Sequence, residues 1–158
     1  MKKKPYVSVI ITTYNSESFI TRCINSVINQ SYKNFEIIVV DDCSSDKTLK
    51  ILNELKKKFA FKIIKLKKNS GSPGKPRNIG IKNSSGKVVA FLDADDYWKK
   101  NKLSEQIKYY KKNHINCSNT QYFDYKNRKT PFLINFLRLL TINIFIFLIN
   151  KKKSLIFL

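Results

Sequence analysis

The 158 residues suffice for one domain of ordinary size, and 42% hydrophobic with 13% aromatic content is enough to build a core, which argues against general disorder. Lys and Arg total 31 against 11 Asp and Glu, and the resulting +20 favours anionic partners: nucleic acid, acidic lipid or a phosphorylated small molecule. Cys23, Cys43 and Cys117 show neither paired nor metal-type spacing, and His114 is the single histidine, so a disulfide scaffold, a zinc module and a His-based metal site are all disfavoured.

After the basic Met1 to Pro5, the apolar run from Val7 to Ile11 is too short for a secretory signal. Tyr6 to Thr12 reads as a first strand. A helix is expected from an N-cap at Ser16, with Phe19, Ile20, Cys23, Ile24, Val27 and Ile28 forming its apolar stripe. Residues 35–40 (FEIIVV) read as the second strand. Ser44 or Ser45 is the expected cap of the next helix, with Asp46 in its first turn and Leu49, Leu52, Leu55 and Phe59 on its buried face. Phe61 to Leu66 reads as a third strand. Lys67 to Pro76 (KKNSGSPGKP) must be irregular, and Pro76 suits the first turn of a short helix reaching about Asn83. Ser84-Ser85-Gly86 is a turn, Lys87 to Leu92 a fourth strand, and Lys102 to Lys112 a helix. This alternation predicts an α/β domain with a mostly parallel sheet flanked by helices.

The tail differs in composition. No acidic residue occurs from Tyr125 to Leu158, and 14 of the 18 residues from Phe132 to Ile149 are apolar. Asn135, Arg138 and Thr141 recur every third residue, which fits an amphipathic helix on the domain or on a membrane surface better than a membrane span. The expected division is a domain over 1–125 and an apolar, basic C-terminal segment over 126–158.

Six of the eleven carboxylates fall in two groups: Asp41, Asp42 and Asp46, then Asp93, Asp95 and Asp96. Each group follows a β-branched run, so both are expected at the carboxyl ends of parallel strands, where such sheets bind ligands. Clustered like charges repel, and a bound cation or a set of ligand hydroxyls is a reason to keep them together. The plainer alternative is that Asp favours turns and helix N-termini.

Two blocks, VSVIITTYNSESFITRCINSVINQSYKNFEIIVVDDCSSDKT and GSPGKPRNIGIKNSSGKVVAFLDADDYWKKNKLSEQ, resemble the nucleotide-sugar-binding half of family 2 glycosyltransferases with the GT-A, Rossmann-like fold. The resemblance covers about residues 5 to 112. It implies transfer of a sugar from a nucleoside diphosphate, UDP most commonly, to a glycan or lipid-linked acceptor, with inversion and with Mn²⁺ or Mg²⁺ steadying the leaving diphosphate. Asp93-Ala94-Asp95 matches the family's DxD motif, so Asp95 is expected to ligate the metal and Asp93 to reach the ribose or sugar side and share the metal. Spacing of two along an extended chain would put both side chains on one side. Thr12, Tyr14 and Asp42 match positions that hold the nucleotide, Arg77 matches a basic residue near base and phosphates, and Glu17 matches an acidic position in the first helix. Asp41 is expected to be structural, Trp98 to pack beneath the DxD loop, Cys23 to lie in the core and His114 at the surface.

The family's catalytic base lies beyond the DxD, in an acceptor half that Ile134 to Phe157 resembles only in compressed form. Of the later carboxylates, Glu105 and Asp124, neither matches its position. The expectation is a truncated enzyme that keeps donor binding, with a non-catalytic nucleotide-binding or interaction module as the alternative. Charge alone suggests nucleic acid, but no binding motif accompanies it and none is expected as a partner. Lys2 to Lys4 and Lys151 to Lys153 suit contact with acidic lipid head groups, which fits a cytoplasmic protein at the inner face of the membrane.

Overall fold

Four apolar runs form the parallel strands that carry the molecule. In a computed structural model, residues 5–109 and 154–156 are described; Asp124, His114, Cys117, the expected helix at 132–149 and the basic ends Lys2 to Lys4 and Lys151 to Lys153 lie outside them. The strands are β1 (Val7–Thr13), β2 (Phe35–Asp41), β3 (Lys62–Lys65), β4 (Val88–Asp93) and β5 (Ser154–Ile156). Among the described residues the sheet runs β3-β2-β1-β4-β5, with every pairing parallel. The short β5 beside β4 is not legible in its sequence. The helices are α1 (Ile20–Ile28), α2 (Thr48–Lys58), α3 (Gly74–Lys82) and α4 (Lys102–Tyr109). Among the described residues no helix is long and apolar enough to cross a membrane.

All seven residues of β1 are buried, as expected for a central parallel strand covered on both faces. Strand alternation sorts the core. Val7, Val9 and Ile11 of β1, Ile37 and Val39 of β2, and Val88, Ala90 and Leu92 of β4 face the layer of α1, α2 and α4. Ile10 faces the other way, against Gly80 of α3. A Cβ on Gly80 would stand 2.4 Å from Ile10 Cγ2, so the close approach of helix to sheet depends on glycine there.

Two helix starts differ from expectation. Ser16 does not cap α1, which begins after Phe19; the Ser16 hydroxyl donates to Tyr14 O, and its carbonyl accepts from Phe19 and Ile20 N. The cause is a tie between loops: Ser16 N donates to Thr48 Oγ1 (2.8 Å), and Glu17 N donates to Asp46 Oδ2 (3.0 Å). Glu17 therefore lies in the turn before α1, where its Oε2 accepts from Lys47 N. Neither Ser44 nor Ser45 caps α2. Asp46 sits just ahead of that helix instead of inside its first turn, and its Oδ1 accepts from Thr48 N at 2.9 Å.

Candidate nucleotide and metal site

β1 and β4 are adjacent and in register, so Thr12 pairs with Asp93 at their carboxyl ends. Both side chains leave the sheet on the α3 face. Thr12 Oγ1 donates to Asp93 Oδ1 at 3.1 Å. From the first turns of α3, Arg77 Nη2 reaches the same carboxylate at 2.8 and 3.0 Å, with its guanidinium 5.8 Å from the Phe91 ring centre. Thr12, Arg77 and Asp93 thus form one hydrogen-bonded group. Arg77 Nε is buried and has no partner among the described residues.

The neighbouring pair Asp41 and Asp42 is split by the same alternation. Asp41, fully buried, accepts from the backbone N and hydroxyl of Ser44 and closes the loop after β2. Asp42 accepts from Ser70 N at 3.0 and 3.1 Å and from Ser70 Oγ at 2.8 Å, which fixes its carboxylate to the Gly/Ser/Pro loop. Tyr14 is half exposed beyond the end of β1. Asp42 and Tyr14 share the sheet edge with the trio but make no hydrogen bond to it. In the two loops that follow β1 and β2, Asn15 holds φ +47° and Cys43 φ +65°. Asn15 tolerates this through its side chain, whose Oδ1 accepts from Ser45 N at 2.8 Å.

The DxD segment is not extended. Asp96 N donates to Asp93 O at 3.0 Å, so a turn follows β4 and the same-side relation expected from strand alternation does not hold. Asp95 is exposed on that turn, and its carboxylate has no hydrogen bond or ion pair among the described residues. Trp98 is buried in the core with Ala94 and Leu92, beneath the turn. Burial pulls Lys102, whose Nζ is 5.6 Å from the Trp98 ring centre, down to about 8, against the opposing pull of Asp96. Cys23 lies in the core, where burial and then the Asp96, Asp93 and Asp95 charges push its thiol up, so it stays protonated and inert.

No group of three or more His, Cys, Asp or Glu side chains arranged for a metal exists among the described residues. A hard divalent ion held by one or two carboxylates plus phosphate oxygens and water would find one open carboxylate here, that of Asp95. Sequence reasoning missed Ser70, Arg22 and Gln30. Ser70 sits in a loop without periodic signal. Arg22 and Ser26 are four residues apart on α1, beside the apolar stripe, and Gln30 follows two residues past the helix end.

A parallel sheet flanked by helices, with its polar side chains gathered at the carboxyl edge, defines a Rossmann-like α/β domain of the GT-A kind. The chain belongs to glycosyl transferase family 2, whose model matches residues 8–157. It is 44% identical over 109 residues to the poly(ribitol-phosphate) beta-N-acetylglucosaminyltransferase TarS of Staphylococcus aureus, covering 68% of this chain and 19% of TarS. It is 46% identical over 94 residues to a poly(ribitol-phosphate) beta-glucosyltransferase of Bacillus spizizenii, covering 58% of this chain and 15% of that protein. The solved structure of S. aureus TarS 1-349 in complex with UDP-GlcNAc superposes with TM-score 0.68 at 38% identity, over 79% of this chain and 36% of that one. A mannosyltransferase of Pyrobaculum calidifontis, solved with GDP-Man and Mn²⁺, shares the fold at TM-score 0.67 and 23% identity, over 75% of this chain and 36% of that one. The chain therefore spans less than half the length of each of these relatives.

Proposed function

We propose that this chain is the donor-binding part of a glycosyltransferase that uses a nucleoside-diphosphate sugar, with UDP as the nucleotide, and acts on a cell-envelope polymer. The observation that carries this reading is the convergence of Thr12, Arg77 and Asp93 on one sheet edge beside the open carboxylate of Asp95. The likeness to TarS, solved with UDP-GlcNAc, supports the choice of donor.

In this reading Asp42 and Tyr14 hold the base, Arg77 fixes Asp93 toward the ribose or sugar, and Asp95 holds Mn²⁺ or Mg²⁺. When bound, that ion neutralises charge on the departing diphosphate. Transfer inverts the anomeric carbon: its bond to the diphosphate oxygen breaks as the acceptor oxygen bonds from the opposite side and gives up its proton. Glu105, exposed and tied to Lys108 at 3.0 Å, is not assigned as the base that takes this proton, and no other residue is. A phosphate-bearing acceptor, of the kind named for the two poly(ribitol-phosphate) relatives, suits the +20 charge.

Calorimetry of the full chain against UDP, GDP, CDP and dTDP, with Mn²⁺ and with EDTA, tests the proposal. UDP is expected to bind tightest, and Mn²⁺ to strengthen it roughly tenfold or more, the scale of one charge-assisted contact. Asp95→Ala is expected to lose that gain. Unchanged manganese uptake and nucleotide affinity in Asp95→Ala would overturn the assignment.

A further inference from the structure

The segment between β4 and α4 has little structure of its own. Inside residues 94–102 and their junctions, its backbone bonds to itself only through Asp96 N to Asp93 O and Lys102 N to Lys99 O. Ala94 N donates to Thr12 O of β1 at one end, Asn101 O accepts from Glu105 N of α4 at the other, and between them a series of ties runs to α1 and the turn after it. Arg22 Nη2 donates to Asp95 O at 3.2 Å, and the same guanidinium sits 4.7 Å from the Tyr97 ring centre. One turn on, Ser26 Oγ accepts from Trp98 N at 3.0 Å. Two turns on, the fully buried Gln30 donates to Lys99 O at 2.8 Å and accepts from Leu103 N at 2.9 Å.

Residues 22 and 26 are four apart on α1, so they lie about 40° from each other beside the apolar face, and Gln30, two residues past the helix end, is tied back to it by its own Nε2 donating to Ser26 O at 3.0 Å. α1, anchored in the core by Ile20, Ile24 and Val27, supplies Arg22 and Ser26, and the turn after it supplies Gln30, as partners to three consecutive portions of a loop with two backbone bonds of its own. The last polar tie before the exposed carboxylate of Asp95 is the one from Arg22.

We propose that Arg22 is a positioning residue for Asp95. Its guanidinium pins the Asp95 carbonyl and braces Tyr97, which sets the peptide from which the Asp95 side chain projects; Ser26 and Gln30 hold the rest of the loop to the same helix. Arg22 touches neither donor nor metal in this role. The assignment to a metal-binding carboxylate rests on the function proposed above, whereas the clamp itself does not. A planar guanidinium suits the task because it donates in its plane and stacks with its face at once.

Two measurements on the full chain test it. In the first, UDP affinity is compared with Mn²⁺ and with EDTA. Arg22→Met, which keeps length but removes donor and charge, is expected to cut the Mn²⁺-dependent gain about fivefold, the value of one hydrogen bond, with affinity in EDTA unchanged. Arg22→Lys, which keeps a donor and a cation over the ring, is expected to restore most of it. A residue that served stability alone would shift the melting temperature and leave this gain alone. In the second, amide exchange is followed in ligand-free protein. Arg22→Met is expected to speed exchange at Asp96 and Trp98 about fivefold while the amides of β1 keep their rates. Unchanged exchange at those two amides overturns the clamp whether or not nucleotide binds. Faster exchange with an undiminished Mn²⁺ gain overturns the positioning of Asp95. If the parent chain shows no Mn²⁺ gain while exchange responds, the function proposed for Asp95 fails and the clamp stands.

Discussion

Gly80 lies where α3 crosses the central strand, and replacing it with alanine tests how rigidly the helix that carries Arg77 is seated. The new Cβ would stand 2.4 Å from Ile10 Cγ2 and 3.2 Å from its Cδ1 and Cγ1. Ordinary carbon contacts start near 3.5 Å, so the overlap is about 1.1 Å. Ile10 cannot yield: it is fully buried and its backbone is paired to β2 on one side and β4 on the other. Its Cγ2 is fixed directly to Cβ and cannot swing away by a terminal rotation. The helix must therefore lift. Overpacking of this kind costs about 1–3 kcal/mol, against about 1 kcal/mol gained from alanine's better helix propensity, for a net loss of about 0–2 kcal/mol. Arg77 is one turn before Gly80, so lifting α3 also stretches its 2.8 Å bond to Asp93. Urea unfolding reads the first effect and UDP titration the second. Ile10→Ala removes the opposing methyl, so the double variant is expected to be less destabilised than the sum of the two single changes. A Gly80→Ala protein as stable as its parent, with the same UDP affinity and strict additivity with Ile10→Ala, would refute the reasoning.

Glu36 stands at the opposite edge of the sheet, where its Oε1 accepts from Ser8 Oγ, from Ser85 N at 2.7 Å and Oγ at 2.8 Å, and from Gly86 N at 3.2 Å. Burial alone would raise its pKa, but these donors outweigh burial and hold it below the usual carboxylate range. Its contribution is thus fully present above the unfolded carboxyl value near ~4.3 and disappears as pH falls through the lower folded value. Glu36→Gln is expected to cost about 1 kcal/mol at pH 7, allowing for partial exposure, and the gap to the parent in urea midpoints should close in acid. Cys43 holds φ +65° without the glycine that this conformation favours, and its thiol has only a 3.7 Å contact to Lys67 O. Cys43→Gly relieves about 1–2 kcal/mol of backbone strain against about 0.4–1 kcal/mol of added freedom in the unfolded chain. A rise of up to about 1.6 kcal/mol in unfolding free energy is expected, and a fall would count against the strain.

The four apolar strands and the helices between them were legible because each apolar run is bounded by turn residues, and the stripe of Ile20, Cys23, Ile24 and Val27 has a clear 3.6-residue period. What was not legible has a common cause: it depends on partners far along the chain. Ser16 has the chemistry of a cap, yet its amide is taken by Thr48 and its loop is tied to Asp46, so the helix starts a turn later. Asp93 and Asp95 look like same-side residues of an extended chain, until the bond from Asp96 N to Asp93 O folds them into a turn. The grip of Ser70 on Asp42 joins residues 28 apart, and nothing in a Gly/Ser/Pro loop announces it. The three-residue β5 is too short to carry a period at all.

The carboxylates at the binding edge are not equivalent, and their partners explain how a cluster of like charges is tolerated there. Asp41 is satisfied by Ser44 and closes a loop. Asp42 takes its hydrogen bonds from Ser70, and Asp93 is neutralised in place by Arg77. Arg77 opposes the charge of Asp93 directly, and the serine donors stabilise Asp41 and Asp42 in their charged form, which offsets the repulsion within the cluster. Asp95 is different, because Arg22 binds its carbonyl and leaves its carboxylate to solvent. In the function proposed here, Asp95 would hold a divalent ion through a single carboxylate, so the ion would need the further oxygens that a diphosphate supplies. In that reading the metal and the donor would each strengthen the binding of the other at this edge, because the partners of the other carboxylates leave Asp95 as the open one.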